Sequence, residues 1–134
     1  MEVHIYLAAG NRCPRKMHRR ASYRLETETA KGMVWRDGQI ETEATLHQAE
    51  LIALAGALGR LTKPCCITIH TTSGYLCGCI RQGRPWQWQK AGWVTAKGEA
   101  VANRAEWLKV LKILKGRPFR VVLEGISGQK GEKP

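Results

Sequence analysis

Short polar side chains and one acidic side chain lie where the sequence changes from one element type to another. Thr72 and Ser73 follow the β-branched run at residues 67–71, and Glu50 lies in the helical pattern that begins after Thr45. Ligands and metal ions bind in α/β sheets at the carboxyl ends of strands. A carboxylate such as Glu50 is a hard oxygen ligand for Mg²⁺, whereas the Thr72 hydroxyl is neutral. The pattern therefore predicts a ligand crevice and raises the question of whether it holds a metal ion.

The elements around this crevice are predicted to form a five-stranded mixed sheet with helices on its faces. The predicted strands cover residues 3–9, 21–29, 33–41, 66–71 and 119–123, the third broken at Asp37 and Gly38. Three helices are predicted. The first starts at residue 46, and the other two cover residues 73–81 and 103–115. Residues 12–20 and 83–85 are predicted to be loops. The order is three antiparallel strands followed by α-β-α-α-β, in one domain over residues 1–125. Residues 126–134 are predicted to form a flexible tail.

The charge of the chain favours an anionic partner. The net charge is +11 and the isoelectric point is about 9.9, and such a surplus binds phosphates by releasing counterions. The sequence contains no apolar run of about 18 residues that would span a membrane. Its first residues lack the features of a signal peptide. We therefore predict a cytoplasmic protein that binds nucleic acid and no membrane.

The cysteine pattern favours reduced thiols in the core over a metal site. The chain has five cysteines, and reduced thiols are the default in a cytoplasmic protein. Cys65 and Cys66 are adjacent, and Cys77 and Cys79 are separated by one residue, which differs from the spacing of zinc sites.

Four segments, in matching order, resemble type 1 ribonucleases H. Residues 67–75 resemble the strand that ends in the Thr-Asp-Ser motif of that family, and residues 48–54 resemble its helix with a catalytic Glu. Residues 86–93 resemble the Trp-rich helix and the Gly-Trp that opens a basic protrusion. Residues 101–107 resemble the start of the next helix. The resemblance runs from residue 3 to residue 125 and implies a ribonuclease H-like fold that lacks the final helix of the family.

The same resemblance implies a changed active site. The family hydrolyses the RNA strand of RNA–DNA hybrids with two metal ions held by four carboxylates. The matching positions are Ala8, Glu50 and Thr72. The fourth belongs to the final helix of the family, which we expect to be absent because the sequence ends at Pro134, and the mobile histidine of the family falls at Ile126. With one carboxylate retained, we predict a protein that is not an enzyme, with no catalytic residue, metal site or cofactor. Mg²⁺ or Mn²⁺ is expected as a cofactor only under the alternative, in which the protein is an active ribonuclease H.

The resemblance also implies a retained surface for nucleic acid. Thr45 and Asn103 match a pocket for a phosphate of the DNA strand, and the alternative for both is helix capping. The further residues implied are Gln48, Asn11, Ser73, Trp88, Trp93, Lys90 and Lys97. Arg12 and Arg15 lie in a charged stretch that replaces the glycine-rich hairpin of the family, and we predict that they contact phosphate. Hydrophobic packing is the alternative for both tryptophans, and a solvated loop is the alternative for the arginines. Trp107 is predicted to lie in the core.

The predicted function is therefore the binding of RNA–DNA hybrid or double-stranded RNA by a catalytically inactive ribonuclease H-like domain. A second alternative, besides the active enzyme, is a protein-interaction module of a polymerase or mobile-element complex. In that alternative the partner is a protein.

Overall fold

The sheet has five strands in the order β3-β2-β1-β4-β5. The computed structural model describes residues 2–9, 13, 15–63 and 65–124. The strands are β1 Glu2–Ala8, β2 Met17–Thr29, β3 Gly32–Ala44, β4 Cys66–Thr71 and β5 Phe119–Leu123. The helices are α1 Leu46–Leu58, α2 Gly74–Arg81, α3 Arg84–Lys90 and α4 Arg104–Leu114. The first three strands pair antiparallel, and β4 pairs parallel with both β1 and β5. The predicted mixed sheet is confirmed.

Alternation along the strands divides the sheet into an apolar face and a polar face. Val3 and Ile5 of β1 lie in the main core cluster with Leu51 and Leu54 of α1, whereas His4 and Tyr6 belong to the opposite face. The cluster also contains residues of α2 and α4. The described helices therefore pack on the Val3 face of the sheet.

Helix α1 begins where the sequence predicts. The Thr45 side chain accepts a hydrogen bond from the Gln48 backbone N–H at 3.2 Å, which satisfies one free donor of the first turn. Leu51, Leu54 and Leu58 are fully buried against the sheet. The retained cap and the apolar face together fix the position of the helix over β1 and β2.

Strand β2 starts at Met17, so the predicted loop over residues 12–20 is shorter than expected. Arg19, expected in that loop, is buried, and its side chain donates to the carbonyls of Ala44, Arg15 and Cys13. These bonds satisfy a buried guanidinium and tie the start of β2 to the end of β3.

Strand β3 is continuous, so the predicted break at Asp37 and Gly38 is wrong. Gly38 pairs with Tyr23 of β2, and a Cβ at Gly38 would lie 2.2 Å from the Tyr23 ring. The glycine therefore makes room for an aromatic ring within a strand and does not mark a turn.

Helix α3 replaces the interruption predicted at residues 83–85. Gly83 precedes the helix with a φ of 70°, a conformation that favours glycine, and Pro85 lies in the first turn. Proline is tolerated there because the first N–H groups of a helix have no partner within it. The periodicity of the sequence did not predict this helix, whereas the resemblance of residues 86–93 to a Trp-rich helix implied one here.

The predicted core residues outside these segments are largely confirmed. Trp107 of α4 is fully buried, as predicted. Cys65, Cys77 and Cys79 are buried free thiols, but Cys66 is exposed. Within the described residues, no helix has both the length and the apolar character needed to cross a membrane. The predicted tail at residues 126–134 lies outside the described residues.

Candidate active-site crevice and nucleic-acid interface

Glu50 lies on α1, which packs against the first three strands and against α2 and α4. Ala49, its neighbour, packs in one cluster with Ala9 at the end of β1. His47, one turn earlier, stacks on Tyr75 at 4.2 Å, just after the end of β4. These contacts place the side of α1 that carries Glu50 over the crevice predicted from the sequence.

The Glu50 carboxylate is buried without a full set of partners. The residue is 4% exposed, and its Oε1 atom has no hydrogen-bond partner among the described residues. His47 Nδ1 lies 3.6 Å from that oxygen, too far for a hydrogen bond. A buried carboxylate oxygen without a hydrogen-bond partner is costly in free energy, and a binding or catalytic role is one explanation for such a group.

The described residues of the crevice do not fit a two-metal carboxylate site. The Ala8 side chain offers no ligand atom, Thr72 offers a neutral hydroxyl, and Glu50 offers one carboxylate. Across the described ranges, no group of three or more His, Cys, Asp or Glu side chains could hold a metal ion. Two Mg²⁺ ions require several hard anionic oxygens, so no reaction step through metal ions follows from this arrangement.

The first turns of α1 and α4 lie side by side next to the crevice. Gln48 Nε2 donates to Glu106 Oε2 at 3.5 Å, which links the two helices. The structure thereby brings together Thr45, Gln48 and Asn103, three residues predicted to contact nucleic acid. Thr45 does cap its helix, whereas the Asn103 side chain makes no capping hydrogen bond, and its backbone φ is 63°.

Asn103 instead interacts with Tyr75, which also contacts Trp107. Trp107 Nε1 donates to the Tyr75 hydroxyl at 3.3 Å. Burial raises the pKa of the Tyr75 hydroxyl, while hydrogen bonds from Trp107 and Asn103 act in the opposite direction. Sequence reasoning missed His47 and Tyr75, although the spacing of His47 three residues before Glu50 was a usable signal.

Trp93 is buried, which favours hydrophobic packing, the alternative given for it, over the predicted contact with nucleic acid. It is 6% exposed and belongs to the main core cluster. Its backbone N–H donates to the Trp88 carbonyl at 2.7 Å, and its own carbonyl accepts from Val101 at 3.0 Å. Trp88 is half-buried and lies edge-on to Trp107, so both tryptophans support the segment that carries exposed Lys90 and Lys97.

The four other residues predicted to contact nucleic acid differ in their positions. Ser73 is buried, and its hydroxyl accepts from the Leu76 N–H at 3.0 Å, so it caps α2 and does not face solvent. Arg15 is exposed in the segment before β2. Asn11 and Arg12 lie outside the described residues.

Similar proteins agree with this architecture. A sequence profile described as RNase H matches residues 6–133. The Ribonuclease H of Paracidovorax citrulli (strain AAC00-1) is 32% identical over 111 residues, which cover 75% of this chain and 72% of that protein. Other relatives named Ribonuclease H reach 36% identity, and the chain spans about half of their length.

Solved structures show the same fold. The crystal structure of LC9-RNase H1, a type 1 RNase H with the type 2 active-site motif, aligns with a TM-score of 0.70 at 20% identity, covering 98% of this chain and 67% of that one. The foamy viral protease-reverse transcriptase in complex with RNA/DNA hybrid aligns with a TM-score of 0.67 at 19% identity, covering 97% and 18%.

The mixed sheet with its helix layer on one face therefore defines a ribonuclease H-like fold. The chain belongs to the RNase H family. The prediction that the protein is not an enzyme is wrong by this comparison, because relatives at 32–36% identity are named Ribonuclease H, an enzyme.

Proposed function

We propose that the protein binds RNA–DNA hybrid along the surface formed by α3, residues 91–103 and α4, next to the first turn of α1. We call this surface the helix-side surface. The observation that carries the proposal is a set of exposed cations without acidic partners. Among the described residues, no ion pair includes the following exposed side chains: Lys90, Lys97, Arg104, Lys109, Lys112 and Lys115.

Uncompensated lysines suit a phosphate backbone. They remain solvated in the free protein, and binding to nucleic acid releases counterions at little cost to existing contacts. Beside them, the Thr45 hydroxyl and the Asn103 amide provide short polar groups for a phosphate at the helix starts. The foamy viral structure with bound RNA/DNA hybrid supports hybrid as the ligand.

The proposal is tested by fluorescence anisotropy with three labelled duplexes of one sequence: RNA–DNA hybrid, double-stranded RNA and double-stranded DNA. We expect the hybrid to bind most tightly, because its groove presents 2′-hydroxyls from one strand only. Affinity should fall steeply between about 50 and 200 mM salt. Absence of binding to any duplex at low salt contradicts the proposal. Equal or tighter binding of double-stranded RNA reassigns the ligand.

Hydrolysis of the RNA strand is a second candidate function, which rests on Glu50. Its buried, unpaired Oε1 lies at the crevice, and the related proteins carry the name of an enzyme. Incubation of the protein and hybrid with Mg²⁺ or Mn²⁺, followed by denaturing electrophoresis, measures the activity. Cleavage should disappear in Glu50→Gln.

Glu28→Gln provides a matched control for that experiment. Glu28 is an exposed carboxylate near the end of β2, outside the helix-side surface. Its variant should cleave as the wild type does. Cleavage that persists unchanged in Glu50→Gln excludes a reaction at the crevice.

A further inference from the structure

A pocket opens where the helix layer ends and the β2–β3 hairpin continues. Helix α1 ends at Leu58, whereas β2 continues to Thr29 and β3 begins just after it. Val3 of β1 stands opposite Thr27 of β2, which stands opposite Val34 of β3, so these side chains share the helix side of the sheet. Together with the segment after α1 they line a pocket of about 170 Å³. The 13 residues of α1 separate it by about 20 Å from the first turn, where the helix-side surface begins.

The pocket has an apolar floor of the size of one side chain. Leu25 and Cys65 are buried at its base, and Val34 is 48% exposed at its edge. A protein cavity of about 150 Å³ lined by apolar side chains holds benzene. The pocket therefore accommodates one large aliphatic or aromatic side chain of a ligand.

Cationic side chains surround this apolar floor. Arg36, Arg60 and Lys63 line the pocket, and all three are exposed. Arg60 is oriented by a hydrogen bond of 2.9 Å from its Nε to the Tyr23 hydroxyl. Within the described part of the chain, no ion pair includes Arg36 or Lys63. The rim therefore complements a ligand that carries negative charge.

The acidic residue at the pocket does not cancel this charge. Among the described lining residues, Glu26 is the one with a carboxylate. It alternates with buried Leu25 along β2, so its side chain belongs to the polar face of the sheet. There its Oε2 atom lies 3.7 Å from Arg24.

The pocket also borders an open edge of the sheet. Strand β3 is the edge strand, and its first residues, 32–37, are exposed. An edge strand presents backbone N–H and C=O groups that can pair with an added strand. A peptide paired with β3 directs every second side chain to the helix side, where Val34 and Arg36 lie.

We propose that an extended acidic peptide of a partner protein adds a strand to β3 at residues 33–36. One large apolar side chain of the peptide fills the pocket beside Val34, and acidic side chains two positions away contact Arg36 and Lys63. Backbone hydrogen bonds provide affinity, and the pocket with its cations provides selectivity. A second copy of this chain fits less well, because each copy carries a net charge of +11.

The test is a fluorescence anisotropy titration with three labelled peptides: Asp-Thr-Phe-Thr-Asp, Asp-Thr-Ala-Thr-Asp and Ser-Thr-Phe-Thr-Ser. The first peptide should bind. The second should bind about 10- to 100-fold more weakly, because it buries no aromatic ring. The third lacks the carboxylates and should also bind more weakly, by about tenfold. No binding of the first peptide up to about 1 mM overturns the proposal, as does equal affinity for all three.

Arg36→Gln/Lys63→Gln should weaken binding of the first peptide by about tenfold, because it removes two rim charges. Lys16→Gln/Arg20→Gln is the matched control, since it removes the same charge from exposed positions near the other end of β2. Its affinity for the peptide should equal that of the wild type. Equal weakening in both variants overturns the proposal, because net charge then explains the binding.

Competition with nucleic acid distinguishes this pocket from the helix-side surface. Saturating RNA–DNA hybrid should leave the first peptide bound. Displacement of the peptide by the hybrid would make the rim cations a phosphate site and overturns the proposal. Absence of hybrid binding, with the peptide still bound, would contradict the proposed function and leave this inference supported.

Discussion

The molecule has two basic regions, which differ in whether their cationic side chains form ion pairs. On the β2–β3 surface, Arg20 pairs with Glu41 and Arg24 pairs with Asp37, both at 2.9 Å. Arg24 also lies over the ring of Trp35, 5.2 Å from its centre. On the helix-side surface, the exposed lysines have no acidic partner among the described residues.

This difference separates charges that hold the fold from charges that can bind a ligand. Cross-strand ion pairs stabilise the long β2–β3 pairing by a modest amount. Lysines without ion pairs do not stabilise the fold in this way, and they repel one another. A helix layer that keeps such repulsion is consistent with an anionic ligand on the helix-side surface.

The largest effect on the free energy of unfolding is expected from a substitution in the core on the helix side of the sheet. Trp107→Ala removes a fully buried side chain and its bond to Tyr75, so we expect a loss of about 3–5 kcal/mol in the free energy of unfolding. Trp35→Ala, at a position 55% exposed, should cost less than about 1 kcal/mol. Urea unfolding measures both. Equal losses would contradict the placement of the core on the helix side.

Neutralising two cations in each region tests the comparison directly. Lys90→Gln/Lys97→Gln should weaken hybrid binding by about tenfold and reduce the salt slope by about 0.9 for each lost phosphate contact. Arg20→Gln/Arg24→Gln removes the same charge from paired positions and should change affinity less than about twofold. Anisotropy titrations over a range of salt concentrations measure both. If the arginine variant weakens binding as much as the lysine variant, net charge alone explains the affinity.

The start of α1 should contribute to both stability and binding. Thr45→Ala removes the observed cap on the Gln48 N–H, and we expect a loss of about 1 kcal/mol in the free energy of unfolding. Thr45→Ser keeps the hydroxyl and should retain stability and hybrid affinity. Thermal unfolding and anisotropy distinguish the two roles. A Thr45→Ala variant with unchanged affinity would limit Thr45 to capping.

The smallest effect concerns the paired charges of the sheet. Hydrogen bonds from Arg20 and then from His18 lower the pKa of Glu41. A lowered pKa in the folded state stabilises the protein above the ordinary pKa of the carboxyl, and this contribution is lost as the pH falls through the lowered value. Glu41→Gln should therefore slightly flatten the decline of the melting temperature in acid. An unchanged decline would show that this exposed pair contributes nothing measurable.

Periodicity and segment order predicted the sheet, α1 with its cap at Thr45, and the buried position of Trp107. The strand break predicted at Gly38 is wrong because a glycine that accommodates the Tyr23 ring looks the same in the sequence as a glycine in a turn. The predictions of Arg19 in a loop and of Ser73 as a contact for nucleic acid differ from the structure. The hydrogen-bond partners of these residues, such as the Ala44 carbonyl, depend on tertiary structure. The crevice was located from Glu50 and Thr72. The His47–Tyr75 stack and the pocket beside Val34 depend on contacts between distant segments, which a single sequence does not show.

The central claim is that the helix-side surface binds RNA–DNA hybrid. Titration of the hybrid into ¹⁵N-labelled protein, followed by NMR chemical shifts, tests it most directly. We predict the largest shifts at Gln48, Lys90 and Asn103, with small shifts at Arg20 and Arg24. Shifts concentrated on the β2–β3 surface, or spread evenly over all basic residues, would contradict the account.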